Sequence, residues 1–175
     1  MPDSAVRVRL WCEDRLQESF VRTLLQKLGV RLEKIYVAPR AEGAASRWVI
    51  GNVSEALKQE RMTRNGQPAL RFLIMVDGDN IGFLERRQSI VGDRHVLPER
   101  VGLAVPTWSI DTWILWLSGT ISIVESQSHK PLGNRDREDM KSRLKSAIGS
   151  WGRTGPAIPP SLASGYEEVA RITSR

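Results

Sequence analysis

The sequence predicts an α/β fold, a mostly parallel sheet of about four strands with helices on both faces. Three observations carry this. Blocks with a two-residue apolar period alternate with blocks of helical period along the chain. The third strand-like block, LRFLIMV over Leu70 to Val76, is almost continuously apolar. A strand of that kind is buried on both faces, as in a parallel sheet covered by helices. Finally, no linker is long enough to divide the 175 residues, a length that suits one domain.

The elements follow in order. Val6, Val8, Leu10 and Cys12 alternate with Arg7, Arg9 and Trp11, which predicts an opening strand. Leu16, Phe20, Leu24 and Leu28 then recur at helical spacing, widened by Val21 and Leu25, with Gly29 placed to close the helix. Glu33 to Ala38 reads as a second strand ended by Pro39. One helix is predicted through Trp48, Val49, Val53, Ala56 and Leu57, giving way at Asn65-Gly66. After the Leu70–Val76 strand come a short helix from Ile81 and a fourth strand around Val101 to Val105. Ser109 is placed to cap a helix whose core face is Ile110, Trp113, Ile114 and Leu117. A basic helix with Met140, Leu144 and Ile148 on its apolar side and a short last helix with Tyr166 and Val169 complete the chain. The expected division is a core over 1–125 and a basic helical extension over 126–175, packed on the same domain.

Composition narrows the function classes. Cys12 is the only cysteine, and His95 and His129 are far apart, so neither a disulfide nor a cysteine or histidine zinc site is expected. No apolar run approaches the roughly 20 residues that cross a bilayer, and no charged-then-apolar leader opens the chain. A soluble, cytoplasmic protein without a membrane partner is therefore expected. The net charge of +6 and pI near 10.0 suit a polyanion such as nucleic acid. Between His129 and Arg153 seven Lys/Arg face three acids, a net +4. Lys141, Arg143 and Lys145 on that helix are candidates for non-specific phosphate contacts, although a solvated helix face has the same composition.

The acidic residues carry the chemistry. Glu13 follows the opening strand, and Asp77 and Asp79 follow the buried strand in VDGDN. Open α/β sheets place ligands beyond the carboxyl ends of their strands. Gly78 is expected to let the chain turn tightly so that both aspartates point to one side. Carboxylates without His or Cys are hard ligands for Mg²⁺ or Mn²⁺. Each part also has a plain structural explanation, since Asp-Gly after a strand is a common turn and an acid in a first helical turn is favoured by the helix dipole. An EF-hand is excluded, because Ile81 and Gln88 stand at its fifth and twelfth positions.

Together these motifs resemble the Toprim (topoisomerase–primase) family. VRVRLWCEDRLQESFVRTLLQKLG is similar to its opening strand, glutamate and helix, with Glu18 where a second acid often appears, and RFLIMVDGDN resembles its Asp-x-Asp strand. VPTWSIDTWILWLSG, SHKPLG and IPPSLASGYEEVARI resemble landmarks of small Toprim-like relatives of OLD-type nucleases, so the likeness covers most of the chain. It implies a Toprim-like, Rossmann-like fold and a metal-dependent nuclease cutting DNA or RNA, within a bacterial phage-defence or mobile-element system. Glu13 would be a metal ligand or general base, Asp77 and Asp79 would hold one or two Mg²⁺ or Mn²⁺ ions, and Asp111 would add a carboxylate. Lys130 would stabilise transition-state charge. The sequence departs from the pattern at Asp14, which replaces the usual glycine and is expected to crowd the turn, and at Asn80.

Two rivals follow. OLD-type proteins join the Toprim module to an ATPase, and no GxxxxGK[ST] motif is present here. A separate ATPase subunit is therefore an expected partner, self-association into a homo-oligomer another, and the chain could itself be a non-catalytic subunit. The second rival is a haloacid dehalogenase-like phosphatase, with Asp77 as nucleophile in VDGDNI. The nuclease reading expects Asp77→Ala with Asp79→Ala to abolish cleavage while the fold stays intact.

Overall fold

The computed structural model describes residues 6–39, 45–92, 96–120, 124–129, 134–155 and 157–174. Four strands, β1 (Arg7–Trp11), β2 (Ile35–Val37), β3 (Leu70–Met75) and β4 (Val101–Ala104), form one sheet in the order β2-β1-β3-β4. Every pairing is parallel. Among the described residues seven helices accompany it: α1 (Arg15–Lys27), α2 (Ala45–Gly51), α3 (Val53–Thr63), α4 (Gly82–Val91), α5 (Ile110–Leu117), α6 (Asn134–Gly149) and α7 (Pro160–Thr173). The protein is thus α/β, with a Rossmann-like four-stranded parallel sheet flanked by helices. Among the described residues no helix is long and apolar enough to cross a membrane.

Side-chain alternation along the strands sorts the core into two layers. On one face Val8, Leu10, Cys12, Leu73, Met75 and Ala104 pack against α1, α5, α6 and α7. On the other, Trp11, Phe72, Ile74, Val76, Leu103 and Val105 pack against α2, α3 and α4. β3 contributes to both layers, which is why its sequence is apolar throughout. Met140, Ala147, Ile148, Leu162, Val169 and Ile172 lie in the first layer. The segment expected as an extension therefore supplies core.

Several local readings are sharpened. Gly29 adopts φ +90, and the amides of Gly29 and Val30 donate to the carbonyls of Gln26 and Leu25, a Schellman end to α1. The expected second strand is shorter than Glu33–Ala38: a 3-10 turn occupies Leu32–Lys34, and the strand is Ile35–Val37, paired among the described residues with β1 at the sheet edge. The single helix expected through Trp48 and Leu57 is two helices. At Asn52 the side-chain amide donates to Trp48 O at 2.7 Å, competing with the helical ladder.

α7 lies close on β4. A Cβ on Gly102 would sit 3.1 Å from Ile172 Cγ2, and one on Gly165 only 2.4 Å from the Trp113 ring. Along the open side of β4, Leu103 N–H donates to Glu168 and Leu103 O accepts from Arg87. Arg171 donates to the carbonyls of Pro98, Glu99 and Val101, and Glu168 accepts from both arginines.

Candidate functional site

The chain leaves β1 for α1 on one face of the sheet and leaves β3 for α4 on the other. Their carboxyl ends therefore flank the switch point of the sheet, where such folds form a crevice. Glu13 emerges from β1 and the Asp77–Asp79 segment from β3, while Pro106–Ser109 follows β4 alongside.

Glu13 lies between these segments. Its Oε1 accepts the backbone N–H of Asp77 at 2.7 Å. Its Oε2 lies 3.0 Å from Ser46 Oγ, and that hydroxyl is also 3.2 Å from Asp79 Oδ2. One hydroxyl proton serves only one carboxylate at a time, so Ser46 sits between two acceptors and satisfies one of them at a time. Burial pushes the Glu13 carboxyl above its ordinary value; the hydrogen bonds from Asp77 and Ser46 oppose this, and the negative charges of Asp79 and Asp14 add to it.

Asp77 is placed differently. It is 4% exposed. Its Oδ1 accepts from Gln17 Nε2 at 2.8 Å and from the backbone N–H of Ile110, at the start of α5, at 3.2 Å. Asp79 instead meets Ser46 and Arg86, whose guanidinium lies 3.2 Å from Asp79 Oδ2 and also donates to Asp77 O. Asp77 and Asp79 are thus held by different hydrogen-bond partners, and Ser46 Oγ lies between the carboxylates of Glu13 and Asp79. The left-handed residue is Asp79, at φ 48, while Gly78 is needed for space, since a Cβ there would sit 3.0 Å from both Gly82 C and Pro106 O.

The remaining candidates fall as follows. Asp111 is 5% exposed and accepts from Ser109 Oγ at 2.7 Å. Ser109 stands at the N-cap of α5, but its hydroxyl serves Asp111 rather than the helix backbone. Asp14 does not crowd the turn: its backbone is extended and its side chain caps α1 by accepting from Gln17 N. Glu18 lies 3.5 Å from Arg22 on α1. Lys141 and Arg143 pair with Glu138 and Asp139 on their own helix, and Lys145 is exposed. Lys130 lies outside the described residues. Trp113 is fully buried and Cys12 is a buried thiol.

Three residues of the site escaped sequence reasoning. Gln17 accepts from the Glu13 amide and donates to Asp77, joining the two strand ends. It is wholly buried in phase with Phe20, Val21 and Leu24, so a polar residue on an apolar stripe was the available signal. Ser46 and Arg86 carried no such signal.

Among the described residues, no group of three or more His, Cys, Asp or Glu side chains is arranged to hold a metal ion. What converges is a pair of carboxylates with a hydroxyl, all hard oxygen donors that fit Mg²⁺ or Mn²⁺ and not a soft metal. The buried, doubly hydrogen-bonded Asp77 is not presented to a substrate, which disfavours its role as a phosphatase nucleophile. No protein-family model, curated protein or solved structure matches the chain.

Proposed function

We propose that the protein is a divalent-cation-dependent nuclease of Toprim type that hydrolyses phosphodiester bonds in DNA or RNA. One observation carries the reading: Glu13 and Asp79, from the ends of adjacent parallel strands at the switch point, both reach Ser46 Oγ. Glu13 and Asp79 would hold the ion. When bound, Mg²⁺ or Mn²⁺ polarises a phosphoryl oxygen and lowers the pKa of water. In the alternative role, Glu13 would instead take the proton of the attacking water as general base, while the released ester oxygen takes up a proton from solvent. Arg86 fixes Asp79 and adds positive charge beside the phosphate. Asp77 and Gln17 are positioning residues that hold β1, β3 and the start of α5 together, and Lys141, Arg143 and Lys145 supply contacts to the strand.

The test is cleavage of plasmid DNA, single-stranded DNA and RNA in Mg²⁺ and in Mn²⁺. Cleavage by the native chain that disappears in Glu13→Gln and in Asp79→Asn, with unchanged circular dichroism, supports the reading. Undiminished cleavage by the double variant overturns it. The lack of a three-acid group among the described residues favours a second reading, a non-catalytic or ATPase-activated subunit. Cleavage that appears only with an added ATPase partner, and still depends on Glu13 and Asp79, identifies the activated form.

A further inference from the structure

Between the β1–β2 edge and helices α2 and α3 lies a cleft of about 510 Å³. Its lining includes Arg9, Trp11, Tyr36, Trp48, Glu55 and Gln59. The volume falls within the range of small-molecule sites, and three of these six side chains are aromatic.

The rings and the polar groups are differently held. Trp11 is 4% exposed and its ring stacks on Phe72, with centroids 5.8 Å apart, so it backs the cleft as a rigid wall and leaves stacking to the half-buried Trp48 and to Tyr36. Tyr36, on the edge strand, is 46% exposed. Arg9 donates to Gln59 Oε1 at 2.5 Å, and Gln59 Nε2 donates to Glu55 Oε1 at 2.9 Å. A guanidinium, an amide and a carboxylate thus run in a hydrogen-bonded chain along an aromatic cleft. A purely apolar ligand would take Arg9 and Glu55 out of water with only the Gln59 amide between them, and a free anion would meet Glu55. A planar heterocycle that stacks on the rings, accepts from Arg9 and donates to Glu55 suits all of them. Nucleobases have that combination of π-face, acceptors and N–H donors.

The cleft is tied to the carboxylate site through two elements. Trp11 precedes Glu13 by two residues, and Trp48 follows Ser46 by two, each at most about 7 Å of chain. We propose that this cleft is a nucleobase-binding subsite, holding the base next to the phosphate that reaches Glu13 and Asp79. Its assignment to a phosphodiester substrate rests on the nuclease reading; base binding itself does not.

The experiment is calorimetric titration of the full chain, in EDTA, with GMP, AMP, CMP and UMP, and with ribose 5-phosphate as the control that lacks a base. At least one nucleotide is expected to bind and ribose 5-phosphate is not. Trp48→Ala is expected to weaken binding by about tenfold, the usual scale for losing one stacking ring. Tyr36→Ala, which removes an exposed side chain and leaves the core untouched, is expected to weaken it several-fold. Absence of binding by all four nucleotides, equal binding of ribose 5-phosphate, or unchanged affinity in a folded Tyr36→Ala or Trp48→Ala chain overturns the proposal. Because the titration uses EDTA and ligands without a phosphodiester bond, nucleotide binding there together with no cleavage in the separate Mg²⁺ and Mn²⁺ assays would defeat the nuclease reading alone.

Discussion

Replacing Asp77 by Ala tests whether this residue organises the site or only decorates it. The substitution leaves two buried donors, Gln17 Nε2–H and the Ile110 N–H, without the oxygen they share. Gln17 is fully buried and Ile110 is 1% exposed, so water does not readily replace that oxygen. An orphaned buried donor costs about 1–3 kcal/mol, and the anion at the start of α5 adds up to roughly 1 kcal/mol through the helix dipole. The sum is about 4 kcal/mol. With a urea slope of about 2 kcal/mol per molar, the unfolding midpoint should fall by roughly 2 M. Asp77→Asn keeps an acceptor oxygen and should lose less than half as much. A midpoint within about 0.3 M of the native chain for Asp77→Ala would refute the claim that these bonds secure the strand ends. The expectation that Asp77→Ala leaves the fold intact is thereby replaced: only Asp79→Asn and Glu13→Gln are clean probes of chemistry.

Two further outcomes follow from the packing and the charges. Gly165→Ala gains about 1 kcal/mol of helix propensity, but its Cβ meets the immobile Trp113 ring at 2.4 Å. Overpacking costs about 1–3 kcal/mol, which offsets or exceeds that gain, so calorimetry should show a Tm no higher than that of the native chain, and a higher Tm would contradict the close approach of α7. Glu13 has its folded-state pKa raised above 4.5 by burial, so the folded state binds that proton more tightly and stability is lost as pH rises from about 4.5 through the raised value. In EDTA, the stability of the native chain relative to Glu13→Gln should therefore fall as pH rises above about 4.5; a pH-independent difference would show that Glu13 is not strained by its surroundings.

The fold was legible because its main signals are long-range averages. The apolar run of β3, the stripe of α1 and the acids after β1 and β3 all report burial, and burial decided the sheet. The errors lie where a local competitor won. Asn52 breaks a helix through its own side chain, and β2 is cut short at the sheet edge. The site was half legible for the same reason. Strand order brings Glu13 beside the β3 loop, but the orientations of Asp77 and Asp79 depend on a left-handed Asp79 and on Gln17, Ser46 and Arg86. The partners of those three residues lie 33 to 60 positions distant in two cases and across a turn in the third. Spacing alone could not reveal such links.

The row of side chains along β4 has a consequence for how copies of the protein meet. The outward N–H and C=O groups of Leu103 and the outward C=O of Val101 are those a fifth strand would use, and Glu168, Arg87 and Arg171 already occupy them. A neighbouring chain offering an extended segment would have to displace a charged lattice before gaining its first ladder bond. That side of the sheet is guarded against fibrous, edge-to-edge growth by strand addition.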